Sequence, residues 1–306
     1  MSLESTGSIS TRLARAKDYP AIAALHNADN EPHFQANAAH LRRLDAANLT
    51  GGRIVALQNR AVIGTAAFWL WSEVDAYRIA IHTVHEAIGA NAATQLLIDL
   101  ERRVTNAKRL LSTVRSDFLG NAQHLQLGFS EVFRSFGANL ELTNFDGERF
   151  DELETDLLTQ GVRIIPRSEW LAPDADAQLE AIQREGNADM PSYEPVVRNE
   201  MDFKTRTLLE PFWVALAGDE CVGFVSLDGK PEQPVIHFDS SAVLRSHRTR
   251  GIGLALAARA VAWAKTHGFA EVNDGGAKSN RSHINILERL GFELEPDWVT
   301  YEKVFG

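Results

Sequence analysis

The chain repeats itself, and a long-period repeat implies two similar folding units before any single element is assigned. Val55-Ala56-Leu57 begins nine residues ahead of Gly64; Val214-Ala215-Leu216 begins nine residues ahead of Gly223, at an offset of 159. IGANAATQLLIDLERR, containing Gly89, is echoed by RGIGLALAARAVAWAK, containing Gly251, at an offset of 162. LQLGF, ending at Gly128 and Phe129, is echoed by LERLGF, ending at Gly291 and Phe292, at an offset of 163. Short matches such as VAL arise by chance. Their fixed order at a nearly constant offset carries the inference of a duplicated domain, and 306 residues are enough for two domains.

Each half reads as strand, helices, hairpin, strand, helix, strand, helix, strand. In the second half RIIP opens, and AQLEAIQRE and VRNEMDFKTRTLL have helical periodicity. PFWVALAGDECVGFVSL is two apolar runs joined at Gly218-Asp219, a hairpin pattern. PVIHFDSSAVL alternates like a half-buried strand, and a helix from Gly253 to His267 stops at Gly268. A further helix from Ser279, capped by that serine, ends at Leu290 before Gly291, and FELEP and WVTYEK complete the half as strands. The expected boundary lies near residues 157–161, giving domains 1–158 and 159–306. The expected class is α/β (α+β), each domain a mixed, mostly antiparallel twisted sheet flanked by helices.

A net charge of −10 argues against nucleic-acid binding through a general basic surface. The one cysteine, Cys221, excludes an internal disulfide and any multi-cysteine metal site; its apolar surroundings mark a buried structural thiol. No His/Asp/Glu spacing resembles a metal site. No apolar run approaches the roughly 18 residues of a membrane span, and MSLESTGSIS lacks the apolar core of a signal peptide, so the cytoplasm is the expected location.

Between an apolar strand and an alanine-rich helix stands SHRTRGIG. Gly251 and Gly253 let the backbone approach a ligand closely, and the first turn of the helix has no side-chain cap. Helix N-termini present unpaired N–H groups and partial positive charge, which stabilise an anion. Arg245, Arg248 and Arg250, with His247, add charge on the approach. The loop is not a Walker loop, because no GKS or GKT follows, and it lacks the third glycine of GxGxxG. A tight turn with solvated arginines is the alternative.

VLRSHRTRGIGLAL, a helix-sized run, and then NRSHINILERLGF resemble the GCN5-related N-acetyltransferase (GNAT) superfamily over most of residues 163–303. The resemblance implies acetyl-CoA as cofactor and two tandem GNAT-like domains. It implies that the loop of Arg248, Thr249, Arg250, Gly251, Ile252 and Gly253 cradles the pyrophosphate. It also sets Val243, Leu244 and Arg245 alongside the cofactor and Asn280 beside its tail. A weaker likeness, through Asp189-Met190-Pro191, is to mycothiol synthase-like members. The first half departs from this pattern: Glu86 stands where Arg248 does, Asn91 replaces Gly253, and Asp117 replaces Asn280. An acidic residue beside a pyrophosphate is repulsive, so the N-terminal half is expected to be a degenerate copy that has lost the cofactor.

Acyl transfer to an amine needs a base for the amine, donors for the oxyanion and an acid for the thiolate. Strict alternation puts Val235, His237, Asp239, Ser241 and Val243 on one strand face. His237 suits the base, since an unperturbed histidine titrates near 6.5; a half-exposed strand histidine without a role is the alternative. Asp239 could orient it or serve as the base, and backbone N–H groups near Val243 and Leu244 suit the oxyanion. The family tyrosine position is Leu287, which donates no proton, leaving Ser282, His283 or Tyr301 as substitutes, or solvent. Met190, Trp170 and Tyr193 fit either an acceptor pocket or core. The expected activity is transfer of an acetyl group from acetyl-CoA to a primary amine of a small molecule or peptide, by a monomer or homodimer. The rival is a non-catalytic acyl-CoA-binding protein.

Overall fold

The computed structural model describes residues 8–28, 30, 35–71, 75–85, 87–104, 108–117, 121–193, 211–230 and 233–304. Glu86 and the helix expected in VRNEMDFKTRTLL lie outside the described residues. The chain forms two compact units, residues 1–133 with 298–306, and residues 134–297. The division therefore falls earlier than the expected 158/159, and the last strand joins the first unit.

In unit 1 the elements run β1 (Ser10–Leu13), α1 (Tyr19–Ala28), α2 (Ala38–Ala47), β2 (Gly51–Gln58), β3 (Ala61–Trp71), β4 (Ala76–Thr83), α3 (Ala87–Arg103), β5 (Arg109–Arg115) and α4 (Asn121–Gln126). The chain continues through β6 (Ser130–Glu141), α5 (Asp151–Thr159), β7 (Val162–Pro166), α6 (Ala175–Asp189), β8 (Phe212–Ala217), β9 (Glu220–Asp228) and β10 (Val235–Val243). Then come α7 (Ile252–Thr266), β11 (Glu271–Ala277), α8 (Arg281–Leu290), β12 (Glu293–Leu294) and β13 (Trp298–Val304).

In unit 1 the strand order is β1-β2-β3-β4-β5-β13, antiparallel except for the parallel pair β4-β5. Asn59 and Arg60 both adopt positive φ, as a two-residue hairpin turn between β2 and β3 requires. In unit 2, β11 pairs with β6 from Ser135 onward, and the order continues β10-β9-β8-β7. Leu157 of α5 is 1% exposed within the core of unit 2, which is why the boundary cannot run through that helix.

The repeat is structural as well as sequential. Both hairpins slip register within the same echo, between Ala56 and Leu57 and between Ala215 and Leu216, with Ile63 and Val222 as the extra residues before Gly64 and Gly223. A bulge placed identically in two copies is a conserved device of strand bending rather than an accident of one hairpin.

Strand β9 is buried along nearly its whole length because helices cover both faces of the sheet. On one face Phe224, Phe212, Cys221 and Trp170 pack with Leu179 and Ile182 of α6. On the other, Val222 and Val225 pack with Leu254, Leu256 and Val261 of α7. Trp170 is therefore core, and burial pushes the Cys221 thiol up to about 12, so at neutral pH it is inert.

Candidate active site

Strands β10 and β11 are paired in parallel only over Val235–His237 and Glu271–Asn273. Beyond these, β10 stays bonded to β9 and β11 to β6, so the two strands part. The opening is the mouth of a cavity of about 710 Å³, within the range of small-molecule sites. Ser241, Val243, Gly253, Asp274, Asn280 and His283 are among the residues that line it.

The loop leading into α7 takes the conformation its glycines allow. Gly251 caps the helix at φ +89, and no side chain caps the first turn. A Cβ on Gly253 would lie 3.2 Å from Ile286 Cδ1 and 3.8 Å from Val243 Cγ2, on the cavity wall. Thr249 is held at φ +65, an uncommon conformation for a β-branched residue, with its hydroxyl donating to the Arg248 carbonyl at 2.6 Å. The result is an uncapped helix N-terminus facing a cleft, the arrangement that receives an anion.

The arginines are arranged differently from a set of free phosphate ligands. Arg248 Nε donates to the Val243 carbonyl at 2.8 Å, and its Nη1 donates to Asp189 at 2.7 Å. Arg245 donates through Nε to the same Asp189 carboxylate at 2.7 Å and makes a second bond through Nη2. Bonding by Arg245 and then Arg248 holds the Asp189 carboxyl down at about 2, so it stays ionised throughout the neutral range. Arg250 is exposed and lies off the cavity wall, whereas Thr249 and Ile252 line it. Arg248 is thus a brace between strand end, α6 and loop. Arg248→Lys keeps the charge but cannot hold both partners through one planar fork. Thermal melting of the lysine variant is expected to fall by about 2–4 °C, as for a loss of about 1 kcal/mol. Unchanged melting would mean that charge alone matters there.

Strand β10 departs from the expected alternation. A bulge between Phe238 and Ser240 turns Phe238, Ser241 and Val243 toward α7, and leaves His237, Ser240 and Ala242 facing α6. His237 and Val243 therefore lie on opposite faces, contrary to the simple period-2 reading. His237 is exposed and is not a lining residue; Asp239, at the bulge, accepts from Ser226 Oγ at 3.0 Å. Ala242 and Gly186 line the cavity together with Val243 and Ile286, so the cavity reaches both faces of the parted sheet.

Of the two expected oxyanion donors, the Leu244 N–H is already given to the Val222 carbonyl at 2.9 Å. Because alternate residues of a strand bond to opposite sides, the Val243 N–H points away from β9 into the opening. Asn280 caps α8, accepting from His283 N at 3.2 Å, and takes the capping role expected of Ser279. Leu287 is buried core on α8. Met190 lines the cavity. Tyr301 belongs to unit 1, where it pairs with Ser112 on β5 and stacks at 4.9 Å on His124; it is not on the cavity wall.

On that wall, His283 Nε2 of α8 lies 3.1 Å from Asp274 Oδ2 of β11. Asp274 Oδ1 accepts from the Gly275 N–H at 2.6 Å. Burial lowers the imidazole's pKa, but the bond to and charge of Asp274 outweigh it and hold it above the ordinary histidine value. Nothing local in the sequence marks Asp274, a strand aspartate, as the partner of a histidine on the next helix.

The model of the acetyltransferase (GNAT) family matches residues 178–292, a span that contains the parted strands, the glycine loop and the paired histidine. Residues 178–292 are thus similar to the GNAT family. A GCN5-related N-acetyltransferase from Sphaerobacter thermophilus aligns with a TM-score of 0.67 at 18% identity, over 97% of this chain and 95% of that one. A tandem GNAT protein from the clavulanic acid biosynthesis pathway aligns at 0.57 and 15%, over 98% and 99%. A GCN5-related N-acetyltransferase from Kribbella flavida aligns at 0.50 and 15%, over 86% and 95%. The chain has no match among curated proteins. At these identities the likeness is one of fold, and the fold is a tandem GNAT fold with a twisted mixed sheet in each unit.

Gly89, which echoes Gly251 in the repeat, is placed differently in unit 1. Strands β4 and β5 pair in parallel only over Ala76–Ile79 and Arg109–Ser112, as β10 and β11 do over a similar length. Yet α3 begins at Ala87, two residues before Gly89, and a Cβ on Gly89 would lie 2.0 Å from the Val84 carbonyl oxygen. The glycine equivalent to Gly251 is packed inside a helix against backbone instead of opening a loop. Asp117, opposite Asn280 in the repeat, is bonded by Arg115 at 2.7 Å.

Proposed function

We propose that unit 2 is an acetyl-CoA-dependent N-acyltransferase that moves an acetyl group to a primary amine of a small molecule or peptide, by direct attack within a ternary complex. The reading is carried by one convergence: an uncapped helix N-terminus, a strand N–H aimed into the opening and a His–Asp pair meet in a single cleft that reaches both sheet faces. The residues fit acetyl-CoA. The N–H groups at the start of α7, reached through Thr249, Gly251, Ile252 and Gly253, would hold the pyrophosphate, and Asn280 would lie beside the tail. The missing Cβ of Gly253 leaves room for close approach at that wall.

The thioester supplies an activated acyl carbon and a sulfur leaving group. The Val243 N–H would stabilise the charge that develops on the acetyl oxygen. The amine would enter from the α6 side; His237 lies on that sheet face but off the cavity wall, so it would take the amine's proton through water. Unit 1, with its closed loop, would bind no acetyl-CoA.

The test is to follow free thiol while the full chain is incubated with acetyl-CoA and a panel of amines. Thiol release that depends on one class of amine, with a matching acetylated product, supports the reading. Tight binding without release on any amine would favour a non-catalytic acyl-CoA-binding protein, the reading for which Leu287 in place of the tyrosine speaks. His237→Ala is expected to lower kcat about 100-fold with little change in acetyl-CoA affinity. A rate unchanged between about pH 6 and 9 would remove His237 from the mechanism.

A further inference from the structure

We propose that His283, held by Asp274, is the group that gives a proton to the departing sulfur, on the helix where the resemblance expects a tyrosine and the chain has Leu287. The proposal rests on the acyltransfer reading above.

Three observations carry it. First, His283 stands four residues before Leu287, so the two share one face of α8, a turn apart. Leu287 has no proton to donate, and His283 places a protonic side chain on the same face. Second, both His283 and Asp274 line the cavity, whereas Tyr301 does not. Third, the pair is built rather than incidental. The Asp274 side chain is only 8% exposed, its Oδ1 is fixed by the Gly275 N–H, and its Oδ2 is buried and faces His283 Nε2 at 3.1 Å.

The surroundings of the ring agree with a working imidazolium. Among the described residues the carboxylate in contact with it is Asp274 on β11; β6 presents the uncharged Phe136, ring centres 6.1 Å apart. A Cβ on Gly276 would lie 3.6 Å from His283 Cδ2, so the glycine lets the ring lie close to the strand. Asp274 Oδ2 sits against Nε2 as an ion-pair contact without hydrogen-bond alignment, so Nδ1 is the nitrogen assigned the transferred proton. A buried aspartate that orients an imidazole and stabilises its charged form is a positioning residue; the histidine is the one that would touch the reacting atoms.

The step balances without a further reactant. The amine nitrogen bonds to the acetyl carbon, the carbon–sulfur bond breaks with its electron pair going to sulfur, and the Nδ1 proton of His283 passes to that sulfur. The proton lost by the amine goes to the base on the other sheet face, and solvent reprotonates His283. The products are the amide and coenzyme A with a free thiol.

Coenzyme A itself, with its free thiol, is the probe, because it needs no acceptor. Bound to the full chain at saturation and titrated through the alkaline range, its thiolate absorbance is expected to report a thiol pKa about one unit below that of free coenzyme A. In His283→Gln the bound thiol should return to the free value, and in Asp274→Asn it should return part of the way. With a productive amine, His283→Gln should lower kcat about 100-fold while the KM for acetyl-CoA stays within about twofold. A bound thiol that titrates like free coenzyme A in the wild-type chain would overturn the proposal, even if His283→Gln proved too unstable to compare. A lowered thiol pKa that persists in a folded His283→Gln would overturn it equally. Failure of the wild-type chain to bind coenzyme A at all would instead sink the acyltransfer reading, and this proposal with it.

Discussion

Gly253→Val is expected to lower acetyl-CoA affinity at least about 100-fold while leaving the chain folded. Gly253 is the second residue of α7, where valine is no worse a helix former than glycine, so the backbone has no reason to resist the change. Its Cβ direction points at the cavity wall, 3.2 Å from the flexible tip of Ile286 and 3.8 Å from Val243. The tip of Ile286 can shift by a few tenths of an ångström. The two γ-methyl groups then occupy the space in which an anion must approach the first-turn N–H groups. A 100-fold loss corresponds to about 2.7 kcal/mol, the size expected when several charge-assisted hydrogen bonds are held off. Calorimetric titration and thermal melting together check it. Wild-type affinity in the valine variant would mean that the loop does not hold the cofactor.

Gly251→Ala is expected to strike stability instead. The residue sits at φ +89, a left-handed conformation that costs a residue with a Cβ about 1–2 kcal/mol. The new Cβ would also lie 2.7 Å from Leu153 Cδ1 on α5, so that side chain must move. Together these predict a loss of about 2 kcal/mol and a fall in Tm of about 4–8 °C for a unit of this size. Gly251→Asn, whose side chain tolerates the left-handed region better, should melt above the alanine variant. Equal melting of wild type and Gly251→Ala would show that the turn does not need its glycine. The two glycines of one motif thus separate into a fold-setting and a ligand-admitting position.

Much of this was legible in the chain. The ordered repeat predicted two similar units, and the structure adds the same register slip to both copies of the VAL echo. Hairpins, the strand before the loop and the alanine-rich helix all follow from local patterns, because turn residues and apolar periodicity act over a few neighbours. Sequence and structure part where an irregularity breaks a local period or a long-range contact decides. Period-2 alternation failed across the bulge at Asp239, and with it the shared face of His237 and Val243. WVTYEK has strand character, but only tertiary pairing with β5 decides which unit it joins. The partners of Arg245 and Arg248 come from the end of α6, more than fifty residues earlier, and no spacing rule reaches that far. Asp274 and His283 sit on consecutive elements, yet each residue alone reads as ordinary.

The most direct test of the central claim is an isothermal titration of the full chain with acetyl-CoA. The account predicts saturation at one acetyl-CoA per chain, through unit 2, with unit 1 silent because Gly89 is packed against the Val84 carbonyl. Saturation at two per chain would contradict it, as would a single site whose affinity is unmoved by Gly253→Val.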